Sequence, residues 1–271
     1  MTNPIEGQVV IITGAGRGIG QALAVHLAKR GARIGLLART ATQLAETATA
    51  CEGAGARVTS LPVDVSDQEA VESAVAQIES ELGPTDLAVA NAGISGPAGP
   101  LWVEGRQSWW TTIEVNLGGA LALSAAVLDG MVRRGHGRLV LMDSLIGMRN
   151  DTESGAYAVS KAGMSRLGGV LGATLAGTGV GVFDVSPGMV RTAMTDVVFA
   201  GQVIPDDAWA PMERICGLVE MIGSGGLDAL SGRFVHANDD WAELATRADE
   251  VIANNGRTLG LRSAFAGDPL G

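Results

Sequence analysis

The chain of 271 residues is poor in several residue types, and each shortage excludes something. There is one tyrosine, Tyr157, and among 19 basic residues only two lysines, Lys29 and Lys161. The two cysteines, Cys51 and Cys216, fit no metal-ligand spacing and no disulfide framework. They read as small buried hydrophobes. His26, His136 and His236 are scattered and suggest no metal site. Positive charge is in deficit, with a formal net charge of −10, which argues against nucleic acid or an anionic membrane surface as partner. No uninterrupted apolar stretch of about 18 residues exists, as a membrane span would need. Residues 1–8 lack the basic start and apolar run of a signal peptide. The reading is therefore a soluble, cytoplasmic protein. Charged residues are scarce at 18% while hydrophobic residues reach 46%, which excludes a disordered chain and permits a large core. Glycine is abundant, 39 residues, but without the every-third period of collagen.

What is present is an alternation of short apolar runs and helical stretches. Residues 9–13 read as a strand, followed by glycines and an Ala/Leu-rich helix to Arg30. Further strands are predicted at 33–37, 57–62, 87–90, 139–142 and 180–185, with a last one beginning at Phe234. Helices are predicted at 40–51, from a Ser66/Glu69 capping box to Leu82, at 107–134 and at 154–175. Continuously apolar strands alternating with helices predict an α/β fold: a doubly wound, Rossmann-type parallel sheet with helices on both faces. No linker divides the chain, so one domain over 1–271 is expected. Two segments stand outside the repeat, an insert at 192–231 and a C-terminal extension at 236–271, where 241–253 has helical spacing.

The first strand runs into Thr13-Gly14-Ala15-Gly16-Arg17-Gly18-Ile19-Gly20 and then a helix. Such a turn lets a pyrophosphate approach bare backbone at a helix N-terminus. A free ribose 2′-hydroxyl calls for an Asp or Glu after the second strand. The sequence there is Ala38-Arg39-Thr40, and the next acid, Glu46, lies inside a helix. Arg39 and Arg17 instead suit a 2′-phosphate, which favours NADP over NAD.

Tyr157 and Lys161 are four apart on a predicted helix and share a face. A unit charge about 4 Å from a phenol is worth up to roughly 4 kcal/mol at an effective dielectric of 20. That is enough to lower the phenol pKa by as much as about three, into the range useful for acid–base work. Ser144 follows the fifth strand at the carboxyl edge of the sheet, where a hydroxyl can hold a substrate carbonyl oxygen. Asn116 falls in the long predicted helix, where an amide is a mediocre helix former. Asp143 precedes Ser144. Strand alternation turns it away from Ser144; turned inward, its charge would raise the phenol pKa.

Thr13-Gly14-x-x-x-Gly18-x-Gly20, Asn91-Ala92-Gly93, Asn116, Ser144, Tyr157-x-x-x-Lys161 and Pro187-Gly188 with Thr192 resemble, in order and spacing, the single-domain short-chain dehydrogenase/reductases. The resemblance covers 8–235. It implies a catalytic tetrad of Tyr157 as proton donor or acceptor, Lys161 lowering its pKa and holding the nicotinamide ribose, Ser144 orienting the substrate oxygen, and Asn116 holding a relay water. It implies that Gly14, Arg17, Gly18, Ile19 and Gly20 cradle the cofactor with Arg39. Asp64 and Val65 would line the adenine, Asn91 would brace the sheet beside it, and Pro187, Gly188, Val190 and Thr192 would lie at the nicotinamide, Thr192 holding the carboxamide. Asp143 departs from the pattern, which has a small hydroxyl residue or Asn there. The resemblance also implies a homodimer or homotetramer built through 107–134 and 154–175.

The family places its substrate lid at 192–214, which here is rich in apolar residues. Leu145, Met148, Glu153, Met189, Phe199 and Trp209 are the expected substrate-pocket residues, and they suit a moderately apolar small molecule. The expected activity is hydride transfer between NADP(H) and a carbonyl or secondary alcohol. A 3-oxoacyl thioester reductase is the alternative, with Arg133-Arg134 as a thin candidate for carrier docking. A non-catalytic NADP-binding regulatory protein is the third, and it would be expected to lack the tyrosine or lysine.

Overall fold

The computed structural model describes residues 4–260. Seven parallel strands form one sheet in the order β3-β2-β1-β4-β5-β6-β7. They are β1 (Val9–Thr13), β2 (Arg33–Ala38), β3 (Val58–Pro62), β4 (Leu87–Ala90), β5 (Gly137–Met142), β6 (Val180–Ser186) and β7 (Arg233–His236). The four central runs are apolar almost throughout because both faces are covered. One face packs under α1 (Gly18–Ala28), α2 (Ala41–Gly53) and, from late in the chain, α8 (Met212–Gly223), through Leu23, Leu27, Leu44, Ile215 and Ile222. The other face packs under α3 (Gln68–Leu82), α5 (Gly119–Arg134) and α6 (Gly155–Thr174), through Val71, Ile78, Leu123, Val127 and Met164. Strand order reverses between β1 and β4, and this switch point opens a crevice at the carboxyl ends of the strands.

Several boundaries differ from the sequence reading. The helix expected at 107–134 is preceded by a short turn from Leu101: α4 (Leu101–Ile113) is kinked at Gly105, whose backbone is not helical, then passes through a π-helical turn at Glu114–Gly118 and continues as α5. Leu101–Arg134 taken together is long and apolar enough to cross a membrane by length and composition alone. Here it lies against α3 and α6, with buried Leu123, Val127 and Met131 in the core. The cap of α3 is Asp67, whose carboxylate accepts the Ala70 N–H at 3.0 Å, rather than Ser66. Ser66 bonds Asp64 instead. The insert divides into two parts. It contains short α7 (Ala193–Val198), but α8 is a core helix and no part of a lid.

The extension folds back onto the sheet as two short helices, α9 (Trp241–Thr246) and α10 (Ala248–Ala253), which bring Trp241, Leu244 and Ala248 to the core. Arg214 stacks on Trp241 at 4.7 Å. The Phe234 N–H at the sheet edge donates to the Arg257 carbonyl at 2.9 Å, which covers β7. Residues 261–271 of the expected extension lie outside the described residues. Cys51 and Cys216 are buried free thiols, each pushed up to about 11, first by burial.

A close helix–backbone approach away from the groove sets a stability test. A Cβ at Gly172 of α6 would stand 2.4 Å from the Gly232 Cα, where backbone meets backbone and no side chain can yield. Gly172→Ala should therefore cost about 1–3 kcal/mol, read as a lower urea midpoint at unchanged slope. An unchanged midpoint would show that the two segments are free to separate.

Candidate active site

A groove of about 340 Å³ lies at the switch point. Its floor is the glycine turn between β1 and α1. Gly14 has φ +64°, and a Cβ there would lie 2.8 Å from the Ala92 Cα. Gly20 is buried beneath, where a Cβ would lie 2.3 Å from the Gly14 carbonyl oxygen. Gly18 and Ile19 line the groove and begin α1, which has no side-chain cap and no acid in its first turn. The first N–H groups of α1 are thus left for an anion. Bare backbone and an uncapped first turn without an acid fit a dinucleotide pyrophosphate.

At one end of the groove lie Arg17, Arg39, Asp64 and Val65, with Thr40, Gln43 and Val63 beside them. The last three were missed in the sequence; Thr40 and Gln43 belong to the start of α2, where no motif marks them. Arg17 is exposed, and the Arg39 guanidinium stands 3.8 Å from the Asp64 carboxylate, with both side chains open to solvent. Asn91 ties the two halves of the sheet. Its Nδ2 donates to the Thr13 carbonyl at 2.9 Å and its backbone N–H to the Thr13 hydroxyl at 3.0 Å.

Tyr157 and Lys161 line the other end from α6, with Met142 and Asp143 from the end of β5. Ser144 follows directly. Its hydroxyl accepts the Ile146 N–H at 3.3 Å and hydrogen-bonds the Tyr157 phenol. Lys161 is buried; its ammonium donates to the Met142 carbonyl and stands 5.4 Å from the centroid of the Tyr157 ring. The phenol departs from the sequence expectation. It is pushed up to about 12, first by burial and then by the Asp143 carboxylate, while the Ser144 hydrogen bond pulls it down. The ammonium is turned to a carbonyl and the ring face rather than to the phenol oxygen, so it does not lower the pKa as the i, i+4 spacing suggested. Burial pulls Lys161 down to about 8, against the opposite pull of Asp143.

Asp143 itself faces inward, contrary to the alternation argument. It is 1% exposed, and its carboxylate accepts the Ser144 N–H at 2.8 Å and the Ser165 hydroxyl. Burial raises it to about 6, against Lys161, Ser165 and Ser144, which lower it.

Asn116 sits in the π-helical turn, which explains how a mediocre helix former is tolerated there. Its Nδ2 donates to the Ile94 carbonyl and the Ser160 hydroxyl, each at 3.0 Å, and its Oδ1 accepts the Ile94 N–H at 2.8 Å. Ser160, which in turn donates to the Tyr157 carbonyl at 2.7 Å, is a linking residue the sequence did not reveal. Thr192 lines the groove but also caps α7 in a reciprocal box with Thr195. Pro187 lines the groove, Gly188 (φ +74°) turns the chain beside Ala210, and Val190 is buried.

None of the six expected substrate-pocket residues lines this groove. Leu145 and Met148 project from the 3-10 turn after Ser144, each more than a third exposed. Met189 holds the Ala210 N–H at 2.8 Å. Phe199 and Trp209 meet edge to face at 6.0 Å, and Arg191 lies over Trp209 at 4.6 Å while pairing with Asp206. Glu153 is exposed, and its carbonyl anchors the Gly99 N–H.

Comparison with known proteins agrees with this geometry. A family model described as short chain dehydrogenase matches residues 8–202. The chain is 30% identical over 239 residues to a 3-oxoacyl-(acyl-carrier-protein) reductase of Escherichia coli, covering 86% of this chain and 96% of that one. It is 33% identical over 257 residues to a short chain dehydrogenase of Monascus purpureus, covering 91% and 86%. The crystal structure of levodione reductase superposes with a TM-score of 0.80 at 25% identity, covering 89% of this chain and 98% of the other. With the glycine cradle, the parallel sheet and the Tyr157–Lys161 pair in place, these matches show that the chain belongs to the short-chain dehydrogenase family of oxidoreductases.

Proposed function

We propose that the chain transfers hydride between NADP(H) and a carbonyl or secondary alcohol on a moderately apolar small molecule, with Tyr157 as general acid and base. The observation that carries this reading is that the only tyrosine of the chain is half-buried at the end of the groove with the Ser144 hydroxyl on its phenol. Bound in the cradle, the nicotinamide cofactor would supply or accept the hydride. The residues of the chain do the rest. Ser144 and Tyr157 present two hydroxyls to one substrate oxygen. The phenol gives that oxygen a proton in reduction and takes it back in oxidation. Lys161 supplies a fixed positive charge beside the ring, and Asn116 braces the wall through Ile94 and Ser160. Arg17 and Arg39 favour the 2′-phosphate of NADP, and no acid follows β2 to hold the 2′-hydroxyl of NAD.

A phenol raised to about 12 is protonated at neutral pH, the form that reduction needs. Alcohol oxidation needs the anion and should accelerate as pH rises. The test is NADPH consumption against a panel of ketones and aldehydes, with NADP-coupled alcohol oxidation in parallel. Turnover of apolar ketones is expected. NADPH binding without turnover of any member would leave the chain a binding protein and defeat the reading.

A second reading, 3-oxoacyl thioester reduction, is favoured by the Escherichia coli relative. Against it, the candidate docking pair is already partnered, Arg133 by Asp129 and Arg134 by the Thr85 carbonyl. Acetoacetyl thioester tested beside simple ketones separates the two.

We also infer a homodimer or homotetramer. Trp110, Leu121 and Val132 on α4–α5 and Val159 and Val170 on α6 are exposed apolar residues on the two helices expected at the interface. Light scattering should give two or four times the 27.6 kDa chain mass, and a monomer would refute this.

A further inference from the structure

A polar seam runs behind the active site, between α6 and the sheet. Tyr157, Lys161, Ser165 and Gly168 follow one another at helical spacing and lie on one face of α6. Facing them are two carboxyl groups, Asp143 after β5 and Asp184 in β6, exposed by only 1% and 2%. Asp184 lies over Gly168 so closely that a Cβ there would come within 2.1 Å of its Oδ1. That oxygen receives no hydrogen bond, whereas Asp143 receives two and faces the Lys161 ammonium.

Two carboxylates cannot both stay ionised in a dry space with one ammonium. The donors decide where the charge rests. Asp143 carries it, and Asp184 keeps a proton; burial and the Asp143 charge together hold the Asp184 carboxyl well above the usual carboxylate range. The titratable groups that face Asp143 are Tyr157 and Lys161 from α6 and Asp184 from β6; the Ser144 and Ser165 hydroxyls complete the shell.

We propose that Asp143 is a positioning residue of the proton-transfer site, its carboxylate keeping Lys161 protonated and setting the pH at which Tyr157 gives up its proton, with Asp184 neutral behind it. The proposal rests on Tyr157 and Lys161 as the proton-transfer pair. It makes the residue before Ser144 a charge that, after burial, tunes this chain toward a protonated phenol.

The lone tyrosine allows a direct test. Phenolate absorbance reports Tyr157 alone, within the pH range where circular dichroism shows the chain folded. Asp143→Asn keeps the shape and removes the charge. It should lower the phenolate midpoint by about one pH unit, and the alkaline rise of NADP-coupled alcohol oxidation should move with it. Asp184→Asn should move neither. A midpoint unchanged in Asp143→Asn, or displaced instead by Asp184→Asn, overturns the proposal. Should Asp143→Asn fail to fold, Asp143→Ser carries the same expectation. A midpoint that moves while the kinetic rise stays supports the role of Asp143 and counts instead against Tyr157 as the proton-transfer group.

Discussion

Tyr157→Phe should lower turnover by a factor of about 10² to 10⁴, the usual contribution of a positioned general acid, while NADPH binding is largely retained. The substitution removes one oxygen and leaves the ring that Lys161 faces at 5.4 Å. The glycine cradle at the other end of the groove is untouched, so the cofactor keeps its anion site. Ser144 loses its phenol partner but keeps the Ile146 N–H at 3.3 Å, so the turn after β5 has no reason to move. NADPH fluorescence titration separates loss of chemistry from loss of binding. Residual activity above about 10% of the parent on a good substrate would be too much for a lost general acid and would remove Tyr157 from the mechanism.

The second large effect is expected at the opposite end. Arg39→Asp should change the ratio of kcat/KM for NADPH to that for NADH by about 10²-fold or more, toward NADH. The substitution removes a guanidinium that matches a phosphate and places a carboxylate where a 2′-hydroxyl can be held. Asp64, now 3.8 Å from Arg39, would stand near the new acid and add to the repulsion of a phosphate. Arg17 remains in the variant, so some NADPH use should survive. Initial rates with both cofactors decide it, and an unchanged ratio would show that Arg39 is merely a solvated side chain paired with Asp64.

Strands β1 and β4 were legible to the residue, because a parallel strand buried on both faces must be apolar throughout. The same fact hid Asp143. Alternation separates inside from outside only where one face of a sheet meets water; here the position facing α6 is as dry as the one opposite. Helix limits were less legible. Gly105, at φ +79°, does break the helical backbone before 107, as the expected helix start implies, but α4 also includes a short turn from Leu101 ahead of that kink. The single apolar pattern at 241–253 conceals a division at Arg247 into α9 and α10. The proposed catalytic residues were readable because each belongs to a short local motif. Ser165 and Asp184 were not, because their roles arise only where α6 crosses β5 and β6, and Ser160 was not, because its role arises only where α6 meets Asn116 of the π-helical turn. The phenol pKa departs from the helical-spacing expectation for a related reason: spacing along a helix puts Lys161 near Tyr157 but says nothing of the Met142 carbonyl that claims its ammonium.

The sharpest measurement joins spectroscopy to kinetics on one residue. With NADP at saturation, the phenolate absorbance of Tyr157 and the pH dependence of kcat for alcohol oxidation should titrate together, because the same proton governs both. In the Tyr157→Phe variant both signals should vanish. An oxidation rate that follows its own pH curve while the only phenol in the chain titrates elsewhere would contradict the assignment of proton transfer to Tyr157.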